Sequence, residues 1–470
     1  MRPKLSLLSS FSYFDLSKFL LLGLLIPPSV YAGTYSGAYS GTGSLFNISA
    51  SGTAANLNIN LCLNGSGPLS CQNYTVDALT LSITTNIPNR TYSNIGIKIN
   101  TPGYEPTGCT LISNGYCVFS ASQTSAASIY INSTASDFVT IGNSGNAEDS
   151  TGFGAVNYQY KIGKYDVTIA QYTAFLNAVA ATDTYGLYNT GMGTDLNIAG
   201  ITQSGQMGSY SYTVMNNDGD SSHRPITYVS WINAARFANW MANGQPTGCQ
   251  TASTTENGAY DLSDIDHLSS RTASAVTLGR YGCVAYVKNT QASQIKKISA
   301  ISSVDYPVAP SKNNVNPNTS QAPTYYIPSE NEWYKAAYYD PELNNQAGGY
   351  YLYPTQSNAA PGNAVGSGSN QANYFTTIFS LTQEGTYSST DQNYLTNVGA
   401  FSNSASYYGT FDQGGEVWQW NDLDGSSLPY RGLRGGYWWS GSVPLQSTLY
   451  STDSITRADN GIGFRLAAPV

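Results

Sequence analysis

Beyond residue 137 only three stretches of the chain carry a helical period, and long runs rich in Gly, Asn and Ser separate them. In "TIAQYTAFLNAVA" (168–180), Thr168 and Gln171 have capping-box spacing, and Ile169, Tyr172, Phe175, Leu176 and Val179 fall on one helical face. The second, "SWINAARFANWMAN" (230–243), starts at Ser230 and carries Trp231, Ala234, Ala238 and Met241 as its stripe. The third, "SENEWYKAAYY" (329–339), repeats the capping box with Ser329 and Glu332. Few regular strands accompany them. Residues 137–470 are therefore expected to form a loop-rich α+β domain, and loops this long are ordered only where function or bound ions fix them.

Residues 33–136 follow a different pattern. Segments such as "LNINLCL" (57–63), "ALTLSIT" (78–84), "IGIKI" (95–99), "YCVFSA" (116–121) and "ASIYIN" (127–132) alternate with period two, broken by turn residues such as "NGSGP" (64–68). An all-β, immunoglobulin-like sandwich is expected, acting as a spacer or adhesion module, because it offers no His and only scattered charges. Cysteines fall as neighbours along the chain, Cys62/Cys71, Cys109/Cys117 and Cys249/Cys283. Their even number suits an oxidising compartment, and nearest-neighbour disulfides are the expected pairing. A metal site is the rival use, but the chain has no CxxC and only His223 and His267 to add to one.

The first 32 residues explain that compartment. Arg2, Lys4 and Lys18 precede "FLLLGLLI" (19–26), and "VYA" (30–32) fits a cleavage site. This reads as a secretory signal peptide cut after Ala32, since a membrane anchor needs about 20 apolar residues. No later stretch could span a membrane, so the protein is expected to be exported, secreted or cell-surface. Charged residues make up 10% of the chain, against roughly 25% on average. The net charge is −8 and no basic run occurs, which argues against nucleic acid as a partner.

Six blocks in order, "YKIGKYDVTIAQYTAFLNAV" (160–179), "RPITYVSWINAARFANWM" (224–241), "YYIPSENEWYKAAYYD" (325–340), "GTFDQGGEVWQWND" (409–422), "RGLRGGYWW" (431–439) and "GFRLA" (463–467), resemble the formylglycine-generating enzyme, or sulfatase-modifying factor, family. The resemblance covers residues 137–470 and implies a C-type-lectin-like fold organised by aromatic packing and bound calcium. Active members of that family convert a sulfatase cysteine to formylglycine with oxygen and a copper(I) ion held by two cysteines. Laid on this chain without gaps, the pair falls on Ser440 and Leu445, and no cysteine lies between Gly435 and Thr452. Copper(I) selects sulfur ligands, so copper binding and the oxidase mechanism are not expected here. Tyr437 also replaces the family serine after the two glycines, while Trp418 keeps the tryptophan of the "VWEW" block, where core packing is its plainer role.

The resemblance also implies two calcium sites. One would use the side chains of Asp412 and Gln419 with carbonyls of Gln413, Gly415 and Val417; the family's amide and carboxylate have exchanged places. The other would use Asn373 and Asp391 with carbonyls of Tyr374 and Asn393. Ordinary turn-forming aspartate is the competing role for Asp412 and Asp391.

Between the Arg-Gly-Gly and Gly-Phe-Arg anchors the sequence carries Tyr437, Trp438, Trp439, Leu445, Leu449, Tyr450 and Ile455. The resemblance places this segment on the ligand-facing surface, and some relatives of the scaffold are receptor-like proteins diversified between the same anchors. Tyr437, Trp438, Trp439, Ser440, Leu445 and Tyr450 are the candidate ligand-binding residues, because Tyr and Trp give contact area at low entropic cost. Adjacent side chains of an extended segment point to opposite faces, so one tryptophan is expected in the core and its neighbour outside. Two functions follow. One is an exported binding or adhesion protein with an unidentified glycan or protein ligand. The other is an enzyme of the sulfatase-modifying type acting on a protein cysteine.

Overall fold

The computed structural model describes residues 138–265, 307–387, 392–426 and 428–470 fully, and the backbone of strands within 43–133 and 275–286. Within 43–133 the strands form a four-stranded and a five-stranded sheet. In the larger one, strand Asn56–Gly65 pairs antiparallel with Ser70–Asp77 in a register that sets Cys62 opposite Cys71. Cys117 lies on strand Tyr116–Phe119, whereas Cys109 and Cys283 lie outside the described residues. The sandwich expected for 33–136 depends on side chains that also lie outside them, as does the whole leader at 1–32.

The three expected helices are present. Helix Ile169–Val179 has its reciprocal capping box, with Thr168 Oγ1 accepting from the Gln171 amide and the Gln171 side chain accepting from Thr168 N–H. Its expected stripe is buried throughout. Helix Glu330–Tyr338 has the same arrangement at Ser329 and Glu332. Helix Trp231–Ala242, capped by Ser230, differs from expectation because it is buried on every side, and Met241 is its only partly exposed residue. Its polar residues have internal partners, including the Arg236–Glu256 ion pair at 2.9 Å.

Aromatic rings join these helices. Phe237 packs on Tyr172, Phe175, Trp240 and Phe464 with centroids 5.3–6.0 Å apart. Phe464 lies on the edge strand Ile462–Phe464 of a four-stranded sheet, followed in order by Trp418–Asn421, Tyr430–Arg434 and Ser451–Ser454. The final strand, Ala467–Pro469, returns to pair with Tyr160–Gly163, which also pairs with Phe138–Ile141. No helix among the described residues is long and apolar enough to cross a membrane.

Side-chain amides order many of the loops. Asn239, buried in the central helix, donates to the carbonyls of Thr255 and Tyr260 and accepts from Tyr260 N–H, all at 2.8–2.9 Å. Asn363 donates to the carbonyls of Tyr374 and Ile378. Asn318 ties the carbonyls of Ala252 and Asn257. Backbone groups with no sheet partner are thereby satisfied, as burial requires. Asn239→Leu keeps the branching of the side chain and strands three buried backbone groups at about 1–3 kcal/mol each. We expect it to lower the unfolding free energy by several kcal/mol, read as a lower urea midpoint. An unchanged midpoint would show that the loop ties are dispensable.

Candidate functional site

The segment between the two anchors is held by two buried arginines. Arg434, the last residue of strand Tyr430–Arg434, forms an ion pair with Glu330 in the first turn of its helix. Asn421 donates to the other oxygen of the same carboxylate at 2.6 Å. Arg434 Nη1 then reaches back to the carbonyls of Ser447 and Leu449, both at 2.8 Å, and so grips the far end of the loop that its own residue begins. Its guanidinium lies 4.7 Å from the Tyr334 ring and 5.5 Å from that of Tyr450. Arg465, in the second anchor, donates to the carbonyls of Gly163 and Phe411, to Gln419 Oε1 and to Asp166. Gly435 and Gly436 turn the chain with φ of 99° and 74°. A Cβ on Gly435 would sit 2.7 Å from the Gln413 carbonyl, so the turn requires glycine.

Within this frame the six candidate ligand residues separate into inner and outer sets. Trp438 is 0% exposed and Trp439 39%, one inside and one outside as expected, but the two lie in a turn closed by Ser440 N–H donating to Tyr437 O and not on an extended segment. Leu445 is buried against Tyr353, Ala372 and Tyr374. Ser440 is also buried; its hydroxyl accepts from Tyr437 N–H and donates to Tyr437 O, closing the turn. Trp438, Ser440 and Leu445 therefore belong to the interior of the domain and not to its accessible surface. Trp439 and Tyr450 remain exposed, and Tyr437 is half-buried.

Two residues distant in sequence, one exposed and one buried, complete the aromatic cluster. Tyr387 stacks on Trp439 with centroids 4.2 Å apart, and Trp439 lies 5.3 Å from Trp438. Trp438 stacks on Tyr394 at 5.0 Å and 5°, and Tyr394 returns to Tyr387 at 5.8 Å. Four rings within 27° of parallel at each contact thus form a closed tetrad. Trp438 and Tyr394 are its dry half, while Trp439 and Tyr387, 39% and 37% exposed, are its wet half. Tyr387 and Tyr394 were not legible as site residues, because they lie in a loop without periodicity some fifty residues before the tryptophans.

The expected calcium ligands occupy two neighbouring places. Gln419 Oε1 accepts from Trp333 Nε1 and Arg465 Nε, both at 2.7 Å, and Gln419 Nε2 donates to the Asp412 carbonyl. With both lone pairs used and a guanidinium adjacent, the Asp412–Gln419 set does not fit a calcium ion as arranged. Burial pushes Asp412 up to about 6 against the opposing pull of the Gly399 amide and Arg465. Of the carbonyls assigned with it, that of Gln413 lies close to Gly435, and Gly415 and Val417 are buried.

Asn373 has more suitable surroundings. Its Nδ2 faces Tyr394 O at 2.9 Å and Glu416 Oε2 at 2.6 Å, and Thr396 donates to the same carboxylate. Turning the carboxamide over would bring Asn373 Oδ1, Tyr394 O and Glu416 together, the oxygen chemistry that calcium takes. Burial raises Glu416 well above the usual carboxylate range. Glu416 escaped the sequence reading because it stands where the resemblance implied no side-chain ligand. Of the others, the Tyr374 carbonyl accepts from Asn363 and Ser380, the Asn393 carbonyl accepts from Gln392, and Asp391 lies outside the described residues. Cys249 is disulfide-bonded, with its partner outside the described residues. No cluster of three His, Cys, Asp or Glu occurs among the described residues.

A model of the sulfatase-modifying factor enzyme 1-like domain matches residues 141–470, and the chain belongs to that family. No curated protein matches it. Among solved structures, CarF is similar at 19% identity over 71% of this chain and 98% of its own, with a TM-score of 0.35. Treponema denticola variable protein 1 is similar at 14% identity over 79% and 100%, with a TM-score of 0.28. PvdO from Pseudomonas aeruginosa is similar at 14% over 71% and 94%, with a TM-score of 0.31.

The arginine clamp is testable by a mutant cycle. Arg434→Met leaves the Glu330 carboxylate buried without its ion pair, a change that costs about 3–5 kcal/mol. Adding Glu330→Gln should restore much of the loss. Equal destabilisation by the single and double variants, measured by urea unfolding, would locate the effect in lost packing or in the loop carbonyls instead.

Proposed function

We propose that the chain is an exported binding or adhesion protein whose sulfatase-modifying-factor domain displays a ligand surface and performs no oxidation. The exposed Trp439–Tyr387 pair, mounted on a rigid frame, carries this reading. The positions laid on the family's copper-binding pair are Ser440 and Leu445, both buried and neither a thiol. A hydroxyl locked to the Tyr437 backbone and an aliphatic side chain supply no soft ligand for copper(I). Residues 33–136 serve in this reading as an immunoglobulin-like β-sandwich spacer. Disulfides Cys62–Cys71, Cys109–Cys117 and Cys249–Cys283 brace the chain, and the register that sets Cys62 opposite Cys71 suits the first. The signal peptide at 1–32 supplies the route out.

Purified protein loaded with copper(I) is expected to yield no aldehyde on a sulfatase-motif peptide, read by hydrazide capture and mass spectrometry. Aldehyde above the metal-free background would overturn the binding reading in favour of an enzyme.

We also place a structural calcium ion at Asn373, Glu416 and Tyr394 O, next to the tetrad. Calcium should then raise the melting temperature of the family domain relative to chelator, because an ion bound only by the native state stabilises it. Glu416→Gln should abolish that increment. Identical melting curves with calcium and chelator would remove the ion.

A further inference from the structure

Resting on the binding reading above, we infer that the ligand is an uncharged saccharide, with a pyranose ring seated on the exposed Trp439–Tyr387 pair beside Asp195 and Asn460. The argument begins with the rim of the tetrad. Tyr387 donates from its hydroxyl to Asn197 Oδ1 at 2.6 Å, which ties the ring to the turn carrying Asp195. Asp195 Oδ2 accepts from Tyr228 at 2.9 Å and from Asn460 Nδ2 at 3.2 Å. Asn460 also supplies the carbonyl that accepts from Trp438 Nε1. One carboxylate and one carboxamide, both partly exposed, are therefore bonded to each other at the rim, joined to Tyr387 through the Asn197 turn and to the dry ring of Trp438 through the Asn460 carbonyl.

That combination matches the two faces of a sugar. The C–H face of a pyranose is apolar and flat and lies on an aromatic ring. Its vicinal hydroxyls need a planar acceptor and a planar donor-acceptor set in fixed positions, which Asp195 and Asn460 present. Exposed tryptophan and tyrosine on a preorganised frame lose little entropy on contact.

The electrostatics select against a charged glycan. Asp195, Asp218 and Asp459 stand around this face, and Gln392 donates to Asp218. The neighbouring cation, Arg457, is held by Asp453 at 2.7 Å and by Asp459 at 2.8 Å. With the chain at −8, sulfated or sialylated sugars meet repulsion, and the neighbouring Arg457 guanidinium is already paired. A quaternary ammonium would suit the carboxylates through cation–π contact, but it would leave the hydrogen-bonding pair Asp195–Asn460 without a role.

The test uses the full chain on an array of neutral, sialylated and sulfated oligosaccharides, with choline as a competitor. Affinities are then measured by calorimetry for the wild type, Trp439→Ala and Asp195→Asn, each confirmed folded by its unfolding midpoint. Neutral oligosaccharides should bind, and Trp439→Ala should weaken them by about thirtyfold, the loss of one aromatic anchor. Asp195→Asn should weaken them at least about tenfold through one hydrogen bond to a charged acceptor. Absence of neutral-sugar binding, preference for anionic glycans, displacement by choline, or binding indifferent to Trp439→Ala each overturns the inference. The broader reading fails separately, through aldehyde formation on the peptide. If no sugar binds and no aldehyde forms, the saccharide is rejected and the binding reading stands.

Discussion

The ion pair between Arg434 and Glu330 joins the parts on which the rest of the domain depends. It ties the four-stranded sheet to the third helix, and the same guanidinium closes the loop that carries the tryptophans. Glu330 can occupy its position because the capping box at Ser329 and Glu332 starts the helix there. A charge pair this deep gives little net stability over an apolar isostere, but removing one partner costs several kcal/mol. Its contribution is therefore to fix one arrangement of strand, helix and loop. Arg431 with Asp422, and Arg465 with Asp166, repeat the device on either side.

Much of this was legible in the sequence. Thr168/Gln171 and Ser329/Glu332 marked two helices because a capping box is local, and the anchors announced the family because their glycines and arginines have fixed spacing. The burial of Trp438 and exposure of Trp439 matched the expectation, although a turn and not strand geometry produces it. The aromatic tetrad was illegible, since nothing local links Tyr387 and Tyr394 to residues 438 and 439; only the fold brings them together. Composition likewise misled at Leu445 and Ser440. An apolar or small residue in a loop looks available until the neighbours that cover it, such as Tyr353 and Tyr374, are known.

The same locality explains the metal question. A ligand set carried over along the sequence picked Gln419, whose oxygen is consumed by Trp333 and Arg465. The neighbouring oxygens come from three separate segments, at Asn373, Tyr394 and Glu416. Oxygens converge there only through the tertiary fold, so the calcium proposed at this place could not be read from a linear motif.

The asparagine ties have a chemical cost that unfolding measurements would not reveal. Asn243 and Asn257 each precede glycine, the sequence context in which the following amide most readily closes on the side chain to form a succinimide. Asn243 Nδ2 donates to the carbonyls of Thr254 and Asn257, and Asn257 Oδ1 accepts from Asn313. Hydrolysis of either imide leaves aspartate or the isopeptide-linked isoaspartate, each with a carboxylate where the amide stood, so aspartate at position 243 would put an anion against two carbonyl oxygens. In a long-lived chain, ageing at these loop ties would set a useful lifetime independent of how tightly the core is packed.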